Sequence, residues 1–205
     1  MAFQVERIAF FSDAVFAIAI TLMIIEVKPP HLPHDIQVQD ALMELGKLTP
    51  MFFGVILSFI FIGLFWARHH QVMKHVEIYT HKLIKINMAF LLTIVFLPFS
   101  TAFVFENTFA HSWVPMVFYN LNYIAAAYFN YRFFVYILEP RNGIIAADNP
   151  VRISDYRFDL LFPIAVYVVV MLVSLVSVNY APMFYGLFGL QPVLTKKRKP
   201  VVVKA

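Results

Sequence analysis

From Ile8 to Val27 the chain runs twenty residues with only two charges, Asp13 and Glu26. About twenty mostly apolar residues are what an α-helix needs to cross the hydrocarbon of a bilayer. Inside that hydrocarbon only a helix or a closed barrel satisfies its own backbone polar groups. The pattern recurs down the chain, predicting helices over about 7–27, 50–70, 83–105, 114–137, 159–178 and 181–195. Lys28-Pro29-Pro30 stops the first of these, and Pro50 suits the opening turn of the second. Pro98 predicts a kink in the third. Gly186, Gly189 and Pro192 interrupt the sixth, which is also the shortest. The expected fold class is an all-α membrane protein with six transmembrane helices per subunit. They form one domain over 1–205 that ends in a basic tail at 196–205.

Composition supports a lipid-covered surface. The chain is 61% hydrophobic and 14% charged, whereas a soluble domain carries about 25% charged residues. The net charge of +4 does not point to nucleic acid, because Lys and Arg fall in the gaps between apolar runs rather than on an aromatic-interleaved face. The chain has no cysteine, which excludes disulfides, thiolate metal sites and thiol nucleophiles. The first apolar run is too long for a signal-peptide core and contains Asp13, so it is expected to stay with the chain.

With the N-terminus inside, only Lys28 and Lys47 of the 16 Lys and Arg residues face outward. The positive-inside rule therefore predicts that both termini are cytoplasmic and that the number of crossings is even. The Lys196-Lys197-Arg198-Lys199 run reads as an anchor to anionic lipid. Between the first two helices, residues 35–47 place Ile36, Leu42, Met43 and Leu45 among polar residues, which suits either an amphipathic surface helix or a polar loop. No internal repeat of the kind found in many transporters is evident.

The first helix has two chemical faces. Asp13 is costly in lipid and must face protein or water, and Ala14, Ala17 and Ala19 permit close helix approach. The helix is therefore expected to lie among others. Phe11, Val15, Ile18, Leu22 and Ile25 follow 4-3-4-3 spacing and form one stripe, which from spacing alone reads as a packing seam. At 100° per residue Asp13 points roughly 140° away from Ile18. The second helix runs inward and the third outward, so Trp66, Arg68, His69, His70, Lys82, Lys85 and Asn87 reach the level of Asp13. The expected network joins Asp13 and Ser12 to His69 or His70, Asn87 and Arg7; the alternative leaves both histidines merely interfacial.

At these residues the sequence resembles a known family. Arg7-x-x-x-Phe11-Ser12-Asp13 matches the RxxxFSD signature on the first helix of the prokaryotic and endolysosomal potassium channels, and the following AVFAIAITL run fits it too. Trp66-x-x-His69-His70, Asn87 and Leu97-Pro98-Phe99 are similar to further family features, and the likeness covers about residues 5–105. The resemblance implies six spanning helices per chain and a homotetramer in the lipid bilayer whose first helices line one pore. No TVGYG loop is present, so a carbonyl-ring filter is not expected. The resemblance instead implies a constriction built from Ile18, Leu22 and Ile25, with Thr21 offering hydroxyl oxygen to the ion. Potassium is then the permeant, no cofactor is expected, and protons are an alternative permeant within the family. A single unit suggests a bacterial cytoplasmic membrane protein.

Two rival classes remain. A secondary transporter would use midplane polar groups such as Asn120, Asn122 and Asn130, whose simpler role is interhelical bonding. A metalloenzyme would draw on His69, His70, His75 and His81, but the spacing lacks HExxH and only Glu77 lies near. The chain is therefore expected not to be an enzyme.

Overall fold

A computed structural model describes residues 2–107, 112–146 and 148–195, with side chains described from residue 6 onward. The basic stretch 196–205 lies outside the described residues. The elements in order are α1 (Ala2–Ile25), α2 (Val38–Lys47), α3 (Thr49–Met73), α4 (His81–Val95), α5 (Leu97–Glu106), α6 (Val114–Leu138) and α7 (Ile153–Val176). A 3-10 helix over Ala181–Gly189 and α8 (Leu190–Thr195) follow. The fold is an all-α membrane bundle.

Among the described residues, four stretches qualify by length and apolarity to cross a membrane: Glu6–Ile25, Thr49–Met73, His81–Glu106 and Ile153–Val176. The third of these is α4 and α5 together, and the break falls at Phe96. Pro98 supplies the reason: with no N–H it leaves the carbonyl one turn earlier without its helical partner. α6 has 25 residues but carries Asn120, Asn122, Asn130 and Arg132, which dilute its apolarity. Its polarity is absorbed by neighbours, since it packs against α4, α5 and α7.

The last stretch differs from the single helix expected over 181–195. It is a 3-10 helix followed by a short α-helix. Runs of 3-10 this long are uncommon on their own, and this one is held by packing: Ala181 is fully buried against Val166 and Val170. Phe188 meets Phe61 and Tyr167. The segment runs back antiparallel to α7, because Thr195 Oγ1 donates to Asp159 Oδ1 at 2.9 Å and Gln191 Nε2 to the Asp159 carbonyl at 3.2 Å. The 3-10 geometry makes that return feasible. At about 2.0 Å rise per 3-10 residue against 1.5 Å per α residue, 181–195 covers about 27 Å, close to the length of α7 beyond Asp159.

Besides the small cluster around Ala181, two larger apolar clusters fill the bundle among the described residues. One joins Phe16, Ala19, Met23, Ile62, Phe65, Phe90 and Tyr123. The other joins Val72, Leu83, Phe133, Phe134, Ile137 and Ile144 at the end where α3 turns into α4. Helix approach in the first depends on Gly54, since a Cβ there would run into the ring of Phe105 on α5. Gly54→Ala is therefore expected to lower stability by about 1–3 kcal/mol, the usual cost of overpacking, with Phe105→Ala in the same chain restoring part of the loss. Thermal unfolding of the three purified variants in detergent checks this.

The segment between α1 and α3 contains α2, which buries no residue. Val38, Ala41, Leu42 and Leu45 lie on one side of it and Asp40, Glu44 and Lys47 on the other, at the 100° step of a helix. Glu44 and Lys47 form an ion pair at 2.6 Å.

Candidate pore helix and its supporting network

α1 presents a back that is packed and a front that is open. Ser12, Phe16, Ala19 and Met23 are all within 1% of complete burial, at 4-3-4 spacing. They form the seam against α3, α4 and α5. Ile18, Leu22 and Ile25 are 57%, 39% and 69% exposed. The stripe that spacing alone reads as a packing seam is thus not one within the chain; the true seam is rotated by roughly 100° or more. The expectation that α1 is surrounded by helices also fails within one chain. Only 22% of its apolar window is buried, against 50% for α4 and α5. The physical reason is that α1 meets its own subunit along one stripe, and none of the described residues covers the remainder.

Thr21 sits on the open side and donates its hydroxyl proton to the Ile18 carbonyl at 2.9 Å. Its oxygen lone pairs are therefore the outward-facing polarity of that turn.

The seam carries a polar chain. Asn87 Nδ2 donates to Ser12 Oγ at 2.9 Å, and Ser12 in turn donates to the Ile8 carbonyl. That leaves Asn87 Oδ1 as the acceptor toward His69 Nε2 at 2.9 Å, so the proton resides on Nε2. Ser12, His69 and Asn87 are all within 1% of complete burial. The imidazole lies flat on Phe133, with centroids 4.9 Å apart and planes 9° from parallel. Phe16 and Phe90 close further sides at 5.7 and 5.9 Å. Buried polar groups are tolerable only when bonded, and this chain ties α1, α3 and α4 at one depth.

Asp13 takes a different partner from the expected one. Trp66 Nε1 donates to its Oδ1 at 2.9 Å, which fastens α1 to α3 a second time. An indole N–H is a donor only, so the Asp13 oxygen is the acceptor of the pair. His70 is outside the buried chain, its ring 5.9 Å from that of Trp66. Arg7 and Phe11 line a cleft between the starts of α1 and α4, together with Tyr79, His81 and Asn87.

Sequence reasoning did not identify Phe16, Phe90 and Phe133 as the enclosure of His69. Helical spacing held the signal for two of them: Phe16 is four residues after Ser12, and Phe90 three after Asn87. Two of the three asparagines of α6 bond to other elements, whereas Asn130 Oδ1 is buried with no hydrogen-bond partner. Asn120 accepts from Tyr185 Oη at 3.1 Å, and Asn122 donates to Ser100 Oγ at 3.1 Å. The histidines disperse: His69 is enclosed by rings, while His75 bonds Asn149 at 3.2 Å.

His75 closes the loop that follows α6. Asn149 Oδ1 accepts from the Val151 N–H at 3.0 Å, which turns its Nδ2 toward His75 Nδ1 as donor. A protonated Nδ1 could not accept it. Partial burial and the neighbouring Lys74 both hold the His75 pKa below its ordinary value. A lowered folded pKa means that the unfolded chain binds the proton more readily. The stabilisation is thus complete above about pH 6.5 and is lost as pH falls below it. The protection of the amides around Ile144 and Val151, measured relative to their intrinsic exchange rate at each pH, is expected to fall between pH 7.5 and 5.5, and His75→Gln is expected to flatten that dependence.

Comparison with known proteins agrees with this geometry. Residues 7–98 match the family described as endosomal/lysosomal potassium channel TMEM175. A potassium channel of Streptomyces collinus is 36% identical over 100 residues, covering 49% of this chain and 47% of that one. A potassium channel of Chamaesiphon minutus is 37% identical over 104 residues, covering 50% of each. The endosomal/lysosomal proton channel TMEM175 of Mus musculus is 35% identical over 77 residues, covering 35% of this chain and 15% of that one. The alignments thus span about half the length of the curated bacterial relatives. The fold extends further. The crystal structure of a lysosomal potassium-selective channel TMEM175 homolog from Chamaesiphon minutus superposes with a TM-score of 0.76 at 26% identity, covering 93% of this chain and 97% of that one. Residues 7–98 thus match the TMEM175 family model, and the chain shares its fold over nearly its whole length with a solved TMEM175 homolog.

Proposed function

We propose that the chain is a potassium-permeable channel of the cell membrane, in which four copies place α1 around a central pore. The observation that carries this reading is the open front of α1: Ile18, Leu22 and Ile25 stand exposed while the Ser12, Phe16, Ala19 and Met23 stripe is locked to the same subunit. An apolar stripe left bare on a helix whose back is fastened by two polar ties needs another surface to meet. Copies related by a closed rotation supply one. Rings of Ile18, Leu22 and Ile25 then form narrow apolar constrictions, from which water withdraws and hydrated ions are held back. Thr21 adds hydroxyl oxygens between them. Potassium, which holds its water less tightly than sodium, passes with the smaller cost.

In this reading six segments cross the bilayer in each subunit, with α6 and 181–195 completing the count. Both termini are cytoplasmic, as the charge bias requires. No cofactor enters; potassium is the permeant and lipid and further copies of the chain are the partners.

Liposomes carrying the purified chain test it: potassium efflux through the protein should exceed sodium efflux under equal gradients. Flux that saturates with a co-transported solute would instead mark a carrier. A second permeant, the proton, is favoured by the likeness to the Mus musculus proton channel. A pH-sensitive dye inside the same liposomes separates the two, because proton entry without potassium movement would replace the first reading by the second.

A further inference from the structure

A cleft of about 580 Å³ opens at the end of the bundle remote from Ser12, between the start of α3, the end of α5, the start of α6 and the 3-10 helix. Cavities of a few hundred Å³ hold ligands of drug size. Its walls are apolar, formed by side chains such as Leu57, Phe105 and Met116. Its polar groups include Asn107, Ser112 and Asn179, from the chain ends of the bundle, while the hydroxyls of the lining Tyr119 and Tyr185 are engaged with Ser58 and Asn120. No charged side chain is among the described residues that line it. Glu106, next to Asn107, is held by Lys28 at 3.6 Å. A membrane-embedded cleft with an apolar wall and uncharged amides and a hydroxyl at the helix ends sorts molecules by two features. An alkyl chain that fills the cleft gains dispersion contacts along its apolar wall, and a charged headgroup finds no counter-charge among the described lining residues to offset desolvation.

We propose that this cleft binds a neutral single-chain amphiphile of the membrane, with its tail along Leu57, Phe105 and Met116 and a hydroxyl or ester head bonded by Asn107, Ser112 and Asn179. The site is separate from α1 and does not depend on the channel reading. Gly186 lines the same cleft, and a Cβ added there meets nothing within 4 Å. Gly186→Trp is therefore tolerated at its Cβ and is expected to take up part of the cleft.

The test uses the full chain in phosphatidylcholine vesicles with a monoacylglycerol that carries a diazirine in its tail. After irradiation, labelled peptides are mapped by mass spectrometry. Labelling is expected to concentrate on the segments holding Leu57, Phe105 and Met116. It should fall several-fold with excess unlabelled monoacylglycerol and in Gly186→Trp, but not with lysophosphatidic acid at the same concentration. Equal labelling of Phe59 and Leu172 on the exposed helix faces would overturn the proposal, as would labelling that resists the neutral competitor or yields equally to the anionic one. Competition on the unaltered chain decides the matter even if Gly186→Trp fails to fold.

Discussion

Ile18→Asn is expected to raise ion flux through reconstituted protein by on the order of tenfold, equivalent to about 1.4 kcal/mol removed from the barrier. It is also expected to narrow the difference between potassium and sodium. Ile18 is 57% exposed in the chain, so an amide there disturbs no packing of the subunit, and its fold should survive. In the proposed pore the same change would place a ring of amides in the apolar constriction, and a wetted constriction no longer holds hydrated ions back. The proper control lies on the packed side: Ala19 is 1% exposed, and a polar residue there should harm folding rather than open the pore. Flux and ion preference both unchanged in a folded Ile18→Asn channel would remove α1 from the conduction path.

Asn87→Leu is expected to cost about 1–3 kcal/mol of stability, the penalty for leaving a buried donor without its acceptor. The exposed loss is chiefly that of His69 Nε2–H, since Ser12 keeps its bond to the Ile8 carbonyl. Adding His69→Phe should recover part of the loss, because an apolar ring would then sit among Phe16, Phe90 and Phe133 with no polar atom to satisfy. Thermal unfolding of the two single variants and the double variant forms a cycle. Strict additivity would show that Asn87 and His69 do not act as a pair. A loosened network should also weaken the placement of α1, so the double variant is predicted to conduct less regularly than the unaltered chain even where it melts normally.

Much of the fold was legible because a bilayer leaves a spanning segment few choices. Runs such as 8–27 and 159–178 had to be helices, and Pro98 had to interrupt whatever helix contained it. The level shared by Ser12, His69 and Asn87 followed from alternating helix direction alone. What alternation could not supply was the pairing. Asp13 might have met an imidazole as well as an indole, and only side-chain reach, set by how far α3 is rotated against α1, gave it to Trp66. The final segment was equally beyond reach: Pro182, Gly186 and Gly189 weaken an α-helix, but whether the chain unravels or tightens into 3-10 depends on Tyr167 and Phe61, which belong to other helices.

The sequence by itself determined that the chain enters a membrane, where its helices lie, and which residues of α1 repeat at helical spacing. Two stripes on that helix had such spacing, one through Phe11, Ile18 and Ile25 and another through Ser12, Phe16, Ala19 and Met23. Spacing is a property of one helix, and each stripe satisfied it. Which of them meets the rest of the subunit is a property of packing, and the tertiary structure buried the second and left the first open. The deciding force was the bonding of Ser12 to Asn87 and of Asp13 to Trp66: polar groups that lipid cannot satisfy turned the helix until they met their partners, and the apolar stripe faced outward as a result.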